Sequence, residues 1–146
     1  MYTIGQIAKM FDLPISTLRY YDKEGLFPQI ERTSGIRQFS DKEIETLRLI
    51  ECLKKSGLEI KDIKLFMHWC TLGSESYSQR LQLFINQKEV VENKIKKMNE
   101  VLDMLTYKCW YYEQAIQDGN EERLKHININ DIPEEIRDIY ISTHHS

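Results

Sequence analysis

Ser16, Arg19, Tyr20 and Lys23 follow one another at spacings of three, one and three residues, with Thr17 beside them. On a helix that spacing puts them on one face. The face would carry two short hydroxyls, a guanidinium, a phenol and an ammonium group. An Arg can fork onto a guanine edge or a phosphate, and a Tyr hydroxyl can hold a phosphate, so the chemistry offered is the reading of duplex DNA. Arg32 and Arg37 flank Ser34-Gly35, where two cations could straddle a sugar-phosphate backbone. Helix N-termini at Thr3 and Ser40 would add partial positive charge for phosphates. Charge spacing alone leaves the plain alternative of a solvated face open. Leu18 and Tyr21 are spaced to point inward and are expected in the core.

The elements that must hold these residues are legible from caps and breakers. Thr3 with Gln6 forms a capping box that starts a helix carrying Ile4, Ile7, Ala8 and Phe11 on one side. Asp12-Leu13-Pro14 interrupts it, because proline lacks the N–H and disfavours helix in the residue before it. A second helix is predicted over about Ile15 to Glu24, ended by Gly25 in the left-handed conformation. Two short helices around a tight break make a helix-turn-helix. From Phe27 to Phe39, Pro28, Thr33, Ser34 and Gly35 deny a helix, and Ser34-Gly35 offers a hairpin turn for a small β-wing. Ser40 with Glu43 caps a third helix to about Lys55, with Ile44, Leu47, Ile50 and Leu53 inward, and Gly57 closes it. A fourth, about Ile60 to Trp69, buries Ile60, Ile63, Phe66 and Met67.

Beyond about Ser76 the pattern changes scale. Leu81, Phe84, Lys88, Val91, Ile95, Met98, Leu102, Leu105, Cys109, Tyr112 and Ile116 alternate spacings of three and four. That is a heptad seam of about 36 residues, roughly 54 Å of helix. A stripe so long needs a partner helix, which makes a homodimer the expected state. Gly119 ends the helix, and Pro133 to Ile136 hints at another, with Asp131 as its cap. The domain organisation read from this is 1–70 for the winged helix-turn-helix, 71–118 for linker and dimerisation helix, and 119–146 for a short tail.

Composition narrows the class without deciding it. Residues 1–70 carry 11 Lys and Arg against 10 Asp and Glu, whereas residues 71–146 carry 9 against 13, so any basic surface belongs to the first half. No apolar run approaches the roughly 20 residues that span a bilayer, and the first ten residues lack a signal-peptide layout. A cytoplasmic protein without membrane contact is expected. Cys52, Cys70 and Cys109 include no CxxC pair, so reduced thiols are the default and no metal site or cofactor is indicated.

Ile15-Ser16-Thr17-Leu18-Arg19-Tyr20-Tyr21-Asp22-Lys23-Glu24-Gly25-Leu26 resembles the recognition-helix signature of the MerR family, a T-[LI]-R-[YF]-Y-[DE] core followed by G-L. Ser34-Gly35-Ile36-Arg37-Gln38-Phe39-Ser40 is similar to that family's wing, with Ile36 and Phe39 where many relatives carry tyrosines. With the long helix, the resemblance covers about the first 116 residues. It implies a mainly α fold, a winged helix-turn-helix with a small β-wing and a long antiparallel dimerisation coiled coil. It further implies a regulator that binds double-stranded operator DNA as a homodimer, distorts the promoter and works with RNA polymerase. The DNA contacts carried over are Thr3, Ser16, Thr17, Arg19, Tyr20, Lys23, Arg32 and Arg37. The dimer contacts are Leu81, Phe84, Val91, Ile95, Met98, Leu102, Leu105, Cys109, Tyr112 and Ile116.

The context Ile50-Glu51-Cys52-Leu53-Lys54-Lys55-Ser56-Gly57 resembles the family's thiol-bearing subgroup that responds to aldehydes and other electrophiles, which implies Cys52 as the sensor. Lys54 and Lys55 would favour the thiolate, while Glu51 and the helix C-terminus oppose it. A lone helical cysteine also serves simply as a small hydrophobe, and packing is the expected role of Cys109. His68 and Cys70 could together meet a metal, yet metal-responsive relatives carry paired cysteines after the long helix and this chain has none after Ile116. His126 and His144-His145 add no motif. With about 30 residues after the long helix, no room is expected for an appended ligand-binding domain. Alternatives are a regulator of the same fold with a non-covalent small ligand, a small thiol enzyme, and a plain coiled-coil interaction protein. The enzyme lacks a histidine in the first 67 residues to serve as base, and the coiled coil leaves Arg19, Tyr20 and the wing without a purpose.

Overall fold

The computed structural model describes residues 1–144 except Gln29 and Ser34, so the expected turn at Ser34 and the His145 of the C-terminal pair lie outside the described residues. It comprises two compact units, Met1–Glu89 and Val90–Ser146.

The first unit opens with α1 (Ile4–Phe11) and α2 (Ile15–Lys23). The Thr3 hydroxyl accepts from the Gln6 backbone N–H at 3.2 Å, and Gln6 Oε1 accepts from the Thr3 N–H at 2.8 Å. Asp12 ends α1 at φ 53°, a left-handed position that Asp tolerates better than most non-glycine residues. Gly25, at φ 81°, follows α2; its N–H donates to the Asp22 carbonyl and that of Leu26 to the Tyr21 carbonyl, a Schellman closure. The same closure recurs at Gly57, where the Gly57 and Leu58 N–H groups donate to the Lys54 and Leu53 carbonyls.

Strands β1 (Glu31–Thr33) and β2 (Ile36–Gln38) form the antiparallel wing, with Arg32 opposite Arg37. A ribbon this short is not stable alone. Phe39 anchors it: fully buried, it exchanges two backbone hydrogen bonds with Tyr2 and meets the Phe27 ring edge-on at 5.5 Å. Phe39 is therefore a core residue, whereas Ile36 is exposed.

Helices α3 (Asp41–Lys55) and α4 (Ile60–Thr71) complete the head. Ile7, Leu18, Leu26, Leu47, Ile50 and Ile63 have essentially no exposed surface, and each such burial contributes about 1.5–3 kcal/mol. After a 3₁₀ turn (Gly73–Ser76) comes α5 (Tyr77–Asp118). Its first turns dock on the head: Leu83 packs on the core, Phe84 meets Phe66 at 5.2 Å, and Gln87 donates to the Ser56 carbonyl at 2.6 Å. Arg80 donates to the Trp69 and Gly73 carbonyls, closing the end of α4.

In the second unit the rest of α5 is followed by α6 (Glu122–Lys125), a 3₁₀ turn (Ile129–Asp131) and α7 (Glu134–His144). Asp131 ends the 3₁₀ turn, whose start is capped by Asn128, its side chain accepting from the Asn130 N–H, and Asn120 accepts from the Glu122 N–H at the start of α6. The tail folds back on α5, burying Leu124 and Ile132 and setting Tyr140 5.4 Å from Tyr107. Glu121 accepts from the Tyr111 hydroxyl at 2.8 Å, which pushes that phenol's pKa up to about 12. The tail is thus a folded cap, which a lone helical hint did not foretell. Among the described residues no helix is long and apolar enough to cross a membrane.

Candidate nucleic-acid interface

On α2, Ser16, Arg19, Tyr20 and Lys23 are all exposed, Thr17 is half-buried, and Leu18 and Tyr21 turn into the core. One helix face is thereby given to solvent and the other to packing. The first turn of α2 holds no acidic residue and its start has no capping side chain; the Thr17 N–H is taken by the Pro14 carbonyl at 3.0 Å, which leaves the partial positive charge of the helix start without a neutralising acid. Around α1 the Thr3 hydroxyl is spent on its own cap, although Thr3 is exposed and that helix also lacks a first-turn acid. At Ser40 the electrostatic expectation is corrected. Asp41 and Glu43 occupy the first turn of α3, and the Glu43 carboxylate takes both the Ser40 backbone N–H and its hydroxyl, so the helix end is already neutralised from within.

The wing arginines do not stand free. Arg32 Nη2 and Arg37 Nε both donate to Asp22 Oδ2, at 2.6 and 2.5 Å, tying β1 and β2 to the recognition helix. Sequence reading passed over Asp22, because an acid inside a cationic stretch reads as solvated until the wing folds against it.

Behind α2, the Tyr21 hydroxyl donates to Glu51 Oε1 at 3.0 Å and accepts from Lys54 Nζ at 2.6 Å. Burial, then the Glu51 carboxylate, raises the Tyr21 pKa against the opposing pull of Lys54, and the hydrogen bond to Tyr21 raises that of Lys54. Both folded-state values lie above the unfolded ones. The stabilisation is thus whole below about pH 10 and is lost as pH rises through the folded values. A thermal-melting series is expected to show the midpoint falling above pH 10, and Tyr21→Phe should flatten that fall; identical alkaline profiles would show the network does not contribute.

Cys52 lies on α3 between these two partners and is exposed, as are Cys70 and Cys109. Lys54, which was expected to favour the Cys52 thiolate, donates one of its three N–H groups to Tyr21, and exposed Lys55 lies one turn on from Cys52. Among the described residues no group of three or more His, Cys, Asp or Glu side chains is arranged to hold a metal ion.

The seam on α5 is bare. Leu81, Val91, Ile95, Met98, Leu102, Leu105, Tyr112 and Ile116 are exposed, Ile116 by 81% and Met98 by 68%, and Phe84 keeps 39% exposure despite its contact with Phe66. Within the second unit, Tyr107, Trp110, Tyr111 and Gln114 form another stripe, and the residues after α5 reach it through Tyr140 on Tyr107, Glu121 on Tyr111 and Arg123 on Gln114. At 100° per residue it lies well round the helix from the seam. Two stripes on one helix, one contacted within the chain and one open, are a pattern the single heptad reading missed.

A recognition helix with an exposed polar and cationic face, a two-stranded wing clamped beside it and a following long helix define a winged helix-turn-helix DNA-binding protein. The family model for the MerR HTH family regulatory protein matches residues 2–68. An uncharacterised HTH-type transcriptional regulator of Haemophilus influenzae is 39% identical over 134 residues, covering 91% of this chain and 97% of that protein. The HTH-type transcriptional regulator AdhR of Bacillus subtilis is 32% identical over 87 residues, 59% of this chain and 62% of AdhR. The crystal structure of HiNmlR, described as a MerR family regulator lacking the sensor domain and bound to promoter DNA, superposes with a TM-score of 0.67 at 36% identity, covering 90% of this chain and 96% of that one. The chain belongs to the MerR family of transcriptional regulators.

Proposed function

We propose that this regulator binds its operator as a homodimer through Ser16, Thr17, Arg19, Tyr20 and Lys23 of α2, Arg32 and Arg37 of the wing, and Thr3 at the start of α1. The exposed i, i+3, i+4, i+7 face of α2 carries this reading: it is polar and cationic on a helix whose other side is core. The bare seam supports a second copy as its cover, paired antiparallel as the family resemblance implies. A promoter held by two such heads can be bent and undertwisted to suit RNA polymerase, the mode the resemblance implies. Similarity to AdhR and to HiNmlR supports placement in the electrophile-responsive subgroup, with exposed Cys52 as the thiol that meets the signal.

The test is operator binding. Arg19→Ala is expected to weaken specific binding by about 1–3 kcal/mol and relax base preference, since a forked Arg–guanine contact is worth that much. Arg37→Ala should weaken binding to all sequences and reduce the salt slope. Titration of labelled duplex from the gene's own upstream region at two salt concentrations measures both, and parental binding by both variants would overturn the assigned surface.

A further inference from the structure

Asp22, on α2, is an acid whose side chain is nearly buried beside the wing. Its side chain is 7% exposed, against 45% for Arg32 and 26% for Arg37, and one oxygen, Oδ2, accepts from both. The two arginines face each other across the ribbon, so a single carboxylate grips both strands of the wing. We propose that Asp22 is the positioning residue of the wing, setting where both arginines meet the DNA backbone, so that operator binding depends on a side chain of the same charge sign as DNA. This rests on the reading of Arg32 and Arg37 as phosphate contacts.

Four points carry it. Strands of three residues do not hold their own orientation, so the wing takes it from what it touches, and Asp22 supplies the ion pairs from α2. A guanidinium has five N–H donors, and the Asp22 contact takes one from each arginine, leaving the others for a phosphate. The rotamer freedom that a phosphate contact would otherwise have to remove from two long side chains is already reduced in the free protein. The cluster still carries a net positive charge, two cations against one carboxylate, so it still attracts the backbone.

Electrostatics alone predicts the opposite outcome. If Asp22 merely offset charge and released the arginines on binding, removing its charge would tighten the complex. The experiment therefore turns on sign. Asp22→Asn and Asp22→Ala, made in the full chain, are titrated against duplex from the gene's own upstream region and against an unrelated duplex at several salt concentrations. Thermal melting reports folding. Both variants are expected to bind the upstream duplex at least tenfold more weakly than the parent. The salt slope should be shallower by about one phosphate contact, roughly 0.9 in log–log units. Asp22→Glu, which keeps the carboxylate, should recover most of the affinity, and in an Arg32→Ala/Arg37→Ala background Asp22→Ala should cost less than threefold more. Asp22→Asn preserves shape and reads the charge effect even if Asp22→Ala fails to fold. Equal or tighter binding by Asp22→Asn, with Arg37→Ala weakened, would overturn the positioning role while leaving the wing contacts intact. Parental binding by Arg32→Ala and Arg37→Ala would instead remove the wing contacts, and the proposal with them.

Discussion

Leu102→Asp is expected to turn a dimer into a monomer at micromolar concentration. Leu102 is 59% exposed in the single chain, flanked along the seam by Met98 and Leu105, which are exposed as well. Such a continuous apolar stripe is costly in water and is covered in an assembled protein. An unpaired carboxylate placed in a covered apolar seam costs several kcal/mol, and a two-fold dimer carries the substitution twice. Since about 1.4 kcal/mol is a factor of ten, a loss of about 5 kcal/mol weakens association more than a thousandfold. Sedimentation equilibrium of the native and substituted proteins makes the comparison. Leu102 is distant in sequence from the packed head, so the melting of the head serves as the internal control. A native protein that sediments as a monomer at these concentrations, or a Leu102→Asp protein that remains dimeric, would remove the seam from the assembly.

Cys52→Ser is expected to abolish the transcriptional response to an aldehyde while leaving operator affinity within about twofold. The thiol is exposed, so an electrophile can reach it, and its chain neighbour Glu51 and near neighbour Lys54 both hold the Tyr21 hydroxyl of the recognition helix. A thiolate adding to an aldehyde carbon forms a hemithioacetal, the alkoxide taking up a proton, with no other reactant needed. An adduct that disturbs Glu51 or Lys54 would then act directly on the seat of α2. Moving a two-state dimer appreciably requires only a differential of a few kcal/mol between its forms. Transcription in vitro, with and without aldehyde, on the parent and on the three single Cys→Ser variants, is the measurement; the Cys70 and Cys109 variants should respond normally. An undiminished response from Cys52→Ser would transfer the signal to a non-covalent ligand. The groove of about 310 Å³ lined by Leu26, Pro28, Met67 and His68 would then be the place to look for it.

Much of the head was legible before any coordinates because its signals are local. The capping pairs Thr3–Gln6 and Ser40–Glu43, the stops at Gly25 and Gly57, and the inward positions of Leu18, Tyr21, Leu47 and Ile50 all depend on spacings within a few residues. The long helix was legible for the same reason, since a three-four repeat needs no tertiary information.

What local pattern could not supply is which polar groups meet after distant segments come together. Asp22 finds Arg32 and Arg37 ten and fifteen residues on, and the Tyr21 hydroxyl finds Glu51 and Lys54 thirty and thirty-three residues on. None of these partners is set by helical or strand periodicity. The same holds for the tail, where Tyr140 reaches Tyr107 and leaves α5 with one face contacted and one bare. Sequence by itself determined the helices and wing of the head, the long helix and its exposed seam, because hydrogen-bonded backbone geometry and apolar periodicity act over one or two turns. Only the tertiary structure decided that both wing arginines meet one carboxylate, that Lys54 donates to the Tyr21 hydroxyl, and that the Ser40 N–H and hydroxyl go to Glu43, because the pairing of buried and half-buried groups is set by which of them folding leaves within reach of one another.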